Sequence, residues 1–245
     1  MTRSTVIDEG YGKFTAKQAL LVIANYFVGY ILIYQIVAEK LSKVFFGVSR
    51  GIHPVMNFIL HFFTIVTMLM IIWKPLLRSW REFTKDKKLV QNIIIVFKNM
   101  GLLYLTNIVV NIIIMLVLGL DGSSENQIAV ESALKSNVLV VGFMVVIFAP
   151  LVEEFVFRGV LYQYFRSKQS FIVPVLISVL LFGLIHVLPE VLNSGNYLEF
   201  IYLLQYCPMA YFMIRSLEMT DSIFGSIGVH FLNNLIGFLV ITFIK

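Results

Sequence analysis

From Val138 to Phe165 the chain is almost wholly apolar, yet Glu153, Glu154 and Arg158 stand inside the run. Nothing else in the sequence restricts the fold so tightly. A stretch this long and apolar crosses a bilayer as a helix. Carboxylates at that depth face a protein interior or a wet cavity rather than lipid, and they mark function by default. The chain must therefore be a bundle whose other helices enclose these charges.

Composition agrees. Of the 245 residues, 59% are hydrophobic and 13% charged, about half the ~25% charged content of soluble domains. The expected class is an all-α, polytopic transmembrane helical bundle. The hydrophobic pattern predicts seven spans: 16–38, 54–73, 101–120, 138–165, 170–188, 198–214 and 222–244. An amphipathic surface helix is expected between the second and third, and the turn-rich stretch 121–137 reads as a loop. The fourth span is too long to cross straight, and Pro150 supplies a reason for a bend. Residues 1–136 are expected to form an amino-terminal membrane region with three spans, and 137–245 a second region with four. The run 19–38 is too long for a signal peptide's apolar core. A lone Cys207 excludes a disulfide framework.

The net charge of +5 implies no nucleic acid partner, because the basic residues sit in short connections where they act as topology signals. With the amino terminus inside, the inner segments hold three, seven, three and one Lys or Arg, which is fourteen of nineteen; the outer ones hold Lys40, Lys43, Arg50, Lys135 and Lys245. A cytoplasmic amino terminus is the better orientation. The tyrosines at 26, 30 and 34 read as helix packing, His53 as a loop residue and His61 as a packed or interfacial one.

Few strongly polar residues remain inside spans. Counted from the cytoplasmic helix ends at ~1.5 Å per residue, Glu153, His186 and Asn234 lie about 18–24 Å deep and His230 about 12 Å. Three helices thus carry a carboxylate, two imidazoles and an amide to one layer. Arg158 follows Glu154 by four residues and shares its face, in the favourable acid-before-base order. Glu154 is therefore expected to pair with Arg158 and orient the site, leaving Glu153 for proton transfer. Asn234 lies four after His230, on its face.

With these residues assembled, the chain resembles the CAAX protease and bacteriocin-processing family, also called Abi, of intramembrane endopeptidases. Glu153-Glu154-Phe155-Val156-Phe157-Arg158 fits EExxxR, Phe182 to His186 fits FxxxH, and His230 to Asn234 fits HxxxN. The resemblance covers about 137–245 and includes type II CAAX prenyl endopeptidases. It implies peptide-bond hydrolysis within the membrane of a peptide or lipidated, CAAX-like substrate. Glu153 and His186 would hold and deprotonate the attacking water. His230 and Asn234 would bond the oxyanion, Glu154 and Arg158 would fix the geometry, and Phe182 would pack His186. Family members are often called metalloproteases. Glu153, His186 and His230 could supply three ligands to zinc, and they serve equally well as a metal-free glutamate site.

The leading expectation is a bacterial plasma-membrane protease, with its site open to the cytoplasm and membrane lipids and its substrate as partners. The alternative is a non-proteolytic scaffold or bacteriocin immunity protein that binds a peptide or controls a sensor kinase. A proton-coupled transporter would also keep buried carboxylates, but would usually show inverted repeats. None is visible in the sequence.

Overall fold

The computed structural model describes residues 14–85, 88–120 and 122–244. The regular elements among them are helical: α1 (Ala16–Phe46), α2 (Pro54–Thr84), α3 (Lys88–Leu118), α4 (Glu125–Ser136), α5 (Val138–Arg166), α6 (Ile172–Ser194), α7 (Leu203–Thr220) and α8 (Ile223–Phe243), with a 3-10 segment at Tyr197–Tyr202 before α7. Local sequence sets several starts. Thr15 and Gln18 form a reciprocal capping box at α1. His53 accepts from the Val55 amide ahead of Pro54, and Ser222 caps α8.

Among the described residues six helices, α1, α2, α3, α5, α6 and α8, are long and apolar enough to cross a membrane. The expected count of seven is not confirmed, because α7 carries Gln205, Arg215 and Glu218 and falls short of that apolarity. It does not need it. α7 packs against α3, α6 and α8, with Met213, Ile214 and Leu217 fully buried. Its charges find protein partners: Arg215 donates to Asn99 Oδ1 at 2.7 Å, and Tyr162 donates to Glu218 at 2.8 Å. Residues such as Leu32, Phe62, Leu105, Leu116 and Ile172 are exposed on the outer helices, giving the apolar exterior that lipid requires.

Two local expectations are corrected. No separate amphipathic surface helix stands between the second and third spans; α2 continues to Thr84 and α3 starts at Lys88, so the basic residues decorate the ends of two long helices. The stretch 121–137 is not all loop. Ser124 accepts from the Gln127 amide and starts α4, and a good cap can outweigh turn-prone composition before it.

The disturbance expected in the fourth span takes the form of a wider helical register. π-helical turns at Met144–Phe148 and Phe155–Tyr162 flank Ala149–Glu154. Pro150 lacks the N–H that the α register needs, and π-turns are frequent at functional sites. From Phe155 to Val160 every residue of α5 is buried, so α5 is the central rod. One apolar core joins it to α1, α2, α3, α6, α7 and α8. The tyrosines of α1 pack as expected: Tyr26 meets Phe157 edge-on and Tyr30 leans on Phe148. Tyr30 also bonds buried His61 at 3.1 Å, and His53 stacks on Phe46.

Candidate active site

The turn between α7 and α8 sets the position of the last motif. Asp221 takes a left-handed backbone, φ 51°, which Asp tolerates better than most residues. Ser79 of α2 accepts from the Ile223 amide at 2.9 Å. At Gly225 a Cβ would lie 2.8 Å from the Ser216 carbonyl oxygen and still closer to Thr220, so only glycine lets α8 leave α7 this closely. Ser226 and His230 follow, one turn apart, on the face turned toward α5.

Both meet Glu154. Arg158 Nη1 donates to Glu154 Oε1 at 2.8 Å, and all of both side chains is buried. His230 Nδ1 lies 2.9 Å from the same oxygen, and Ser226 Oγ donates to Oε2. The acceptor is a carboxylate, so Nδ1 is the protonated nitrogen and Nε2 is left for the cavity. The Arg158 guanidinium also stands 4.3 Å above the centre of the Phe182 ring, a cation–π contact. Phe182 packs His186 as well, at 4.6 Å between ring centres.

Glu153 has different surroundings. Its Oε2 faces His186 Nε2 at 3.9 Å and has no hydrogen-bond partner. His186 Nδ1 donates to the Phe182 carbonyl at 2.8 Å, which fixes its tautomer and aims the Nε2 lone pair at Glu153. The gap exceeds a direct hydrogen bond and suits one bridging molecule. Asn234 donates to the Val145 carbonyl at 2.9 Å and accepts from Asn233 at 3.0 Å. One N–H of its amide is thereby left uncommitted.

Glu153, His186, His230 and Asn234 all line one cavity of about 720 Å³. Glu154 and Arg158 do not; they sit behind it. Among the described residues no three His, Cys, Asp or Glu side chains are grouped to hold a metal ion, and Glu153, His186 and His230, the trio that could serve zinc, share the cavity.

Several contributors escaped sequence reasoning. Ser226 carries no signal of its own, being one serine in an apolar helix. Tyr206 stacks on His186 at 4.5 Å between ring centres, and its hydroxyl takes bonds from Asn126 at 2.9 Å and with Ser124 at 3.0 Å. The amino-terminal region also reaches the cavity, through Tyr26 and Tyr30 of α1 and Asn107 and Asn111 of α3. The packing role given to those tyrosines was correct but incomplete.

The cavity runs from Glu153 toward Met144 on α5, from His230 toward Ile241 on α8, and along α3 and α4 to Ser123 and Glu131. These residues trace the bundle end that carries 119–137. With the amino terminus in the cytoplasm, that end is the outer one. The expected cytoplasmic opening and the expected orientation therefore cannot both hold.

The family model described as type II CAAX prenyl endopeptidase Rce1-like matches residues 135–236. No match was found among curated proteins or solved structures. The matched stretch takes in all three motifs and the helices that bring them to one cavity, so over residues 135–236 this multi-pass membrane chain is similar to the Rce1-like type II CAAX prenyl endopeptidases.

Proposed function

We propose that the protein is an intramembrane endopeptidase that hydrolyses a peptide bond with a water molecule held between Glu153 and His186. The observation that carries this reading is the facing pair itself. A carboxylate oxygen without a partner and an imidazole lone pair stand 3.9 Å apart in one cavity. Water bound there would donate one hydrogen to each. Glu153 takes a proton as the water oxygen attacks the carbonyl carbon, and passes it to the amine nitrogen as the C–N bond breaks.

The oxyanion formed in between would lie against the free N–H of Asn234 and against His230 Nε2. Neutral His230 spends its only N–H on Glu154, so its donation requires the imidazolium form, whereas Asn234 has its N–H free in the neutral state. Such a donor contributes about 3 kcal/mol in soluble proteases. Glu154, Arg158 and Ser226 act through His230 by holding it. No step needs a metal. The amino terminus is cytoplasmic in this reading, supported by the excess of Lys and Arg at the ends holding 17, 78–88 and 166–168, and the membrane is a bacterial plasma membrane.

The test is cleavage of a peptide library by the purified protein in lipid, read by mass spectrometry. Wild type should cut and Glu153→Gln should not, at an unchanged thermal midpoint. Equal turnover by Glu153→Gln would overturn the assignment.

A further inference from the structure

The cavity and the charge pattern together say where substrate comes from. Among the described residues, those lining the cavity lie either at the depth of Glu153 and His186 or between that layer and the end where α3 finishes and α5 begins; none comes from Thr84, Lys85 or Lys88, from 166–171 or from 220–223. Below the glutamates this cavity ends, and only a small separate void of about 10 Å³ beside Phe155 and Ile223 interrupts the packing. Phe155, Phe157, Val160 and Tyr162 are buried, and the Tyr162 hydroxyl is held by Glu218. A substrate can therefore reach Glu153 only from the 119–137 end or through the bundle wall beside it.

The closed end is the basic one. Lys17, Arg78, Arg81, Lys85, Lys88, Arg166 and Lys168 surround it, whereas the described part of the open end has Lys40, Lys43, Arg50 and Lys135. Acidic residues stand at both ends, Glu82, Glu218 and Asp221 at the closed one and Glu39, Glu125, Glu131, Glu190 and Glu199 at the open one, and contribute little to the bias. The basic residues lie in short connections or at helix ends, where the positive-inside bias is strongest. The closed end is cytoplasmic by that rule, and the open end faces away from the cytoplasm.

The mouth has its own chemistry. Asn107, Asn111, Gln127 and Gln205 line it, four amides that can pair with a polypeptide backbone as both donors and acceptors. Gln205 already donates to Asn111 Oδ1 at 2.6 Å and to the Gly122 carbonyl at 2.9 Å, while the buried Asn107 Oδ1 has no partner. An isoprenyl chain would leave such groups unpaired, at a cost for each. A peptide strand would not.

We infer that the site takes an unlipidated peptide segment from the non-cytoplasmic side of the membrane, so that its substrates are exported peptides or the outer segments of membrane proteins. This rests on the endopeptidase reading for the chemistry, but not for the sidedness.

Two measurements separate the two claims. In a Cys207→Ala background, Ser123→Cys should react with a membrane-impermeant maleimide on intact cells. Lys168→Cys should react only after permeabilisation. The reverse pattern overturns the inference whether or not the protein is a protease. In the second measurement, reporter proteins with random peptide inserts are either exported or kept in the cytoplasm, beside wild type and Glu153→Gln. Glu153-dependent cutting confined to exported, unlipidated reporters is expected, at least tenfold over the cytoplasmic set. Cutting confined to cytoplasmic or prenylated reporters overturns the inference. If nothing is cut on either side, the endopeptidase reading fails, and the labelling pattern still decides which face the cavity serves.

Discussion

Glu154 and Arg158 form an ion pair at 2.8 Å, one helical turn apart on α5, with neither side chain exposed at all. Removing one partner strands the other charge, which typically costs ~3–5 kcal/mol, whereas replacing both can be far milder. Glu154→Gln and Arg158→Ala should each lower the detergent-solubilised yield and the thermal midpoint, and the double variant should recover part of both. Recovery will be incomplete, because Glu154 also holds His230 and Ser226. Additive losses in the double variant would show that the pair is not coupled.

Asn234 should act in the transition state more than in binding. Asn234→Ala is expected to lower kcat by about 10²–10³-fold with little change in KM, the signature of a lost oxyanion donor. The variant also loses the bond to Val145, so a thermal melt must accompany the kinetics. A KM effect alone would place Asn234 in substrate binding instead.

Tyr206 offers a ring to His186 and a hydroxyl to Ser124 and Asn126, and two substitutions separate these. Tyr206→Phe keeps the stack and should leave kcat within about twofold while raising KM, since only the anchoring of the cavity mouth is lost. Tyr206→Leu removes the stack as well. A ring pair contributes about 0.5–1.5 kcal/mol, so kcat should fall by about 2–10-fold. Steady-state kinetics on one cleavable peptide checks both.

The α7–α8 turn should tolerate no side chain at its closest point. Gly225→Ala would press a methyl group against the Ser216 carbonyl and Thr220, and overpacking of this kind costs about 1–3 kcal/mol. The thermal midpoint should drop, and cleavage with it, because His230 rides on the same helix. Gly101→Ala is the control. Nothing lies within 4 Å of that position in the middle of α3, and exchanging glycine for alanine there should stabilise by about 0.5–1 kcal/mol.

The sequence by itself determined that the chain crosses the membrane repeatedly and that Glu153, His186, His230 and Asn234 belong to one layer. Both follow from local physics: a long apolar run spans, and a polar residue inside it needs company. Helical phase likewise separated the two glutamates, because a four-residue spacing aligns Glu154 with Arg158 whatever the helix packs against. The tertiary structure alone decided the rest. α7 is too polar for lipid by composition, and only its encirclement by α3, α6 and α8 lets it stand inside the bundle. Ser226 becomes a partner of Glu154 only because the α7–α8 turn brings α8 against α5. Tyr206, Asn107 and Asn111 join the cavity because the packed helices leave a gap at one end, a feature no single segment encodes. That same gap gives the site a direction. Charge counting could orient the helices but could not say at which end the space between them stays open, because space between helices belongs to their packing and not to any stretch of chain.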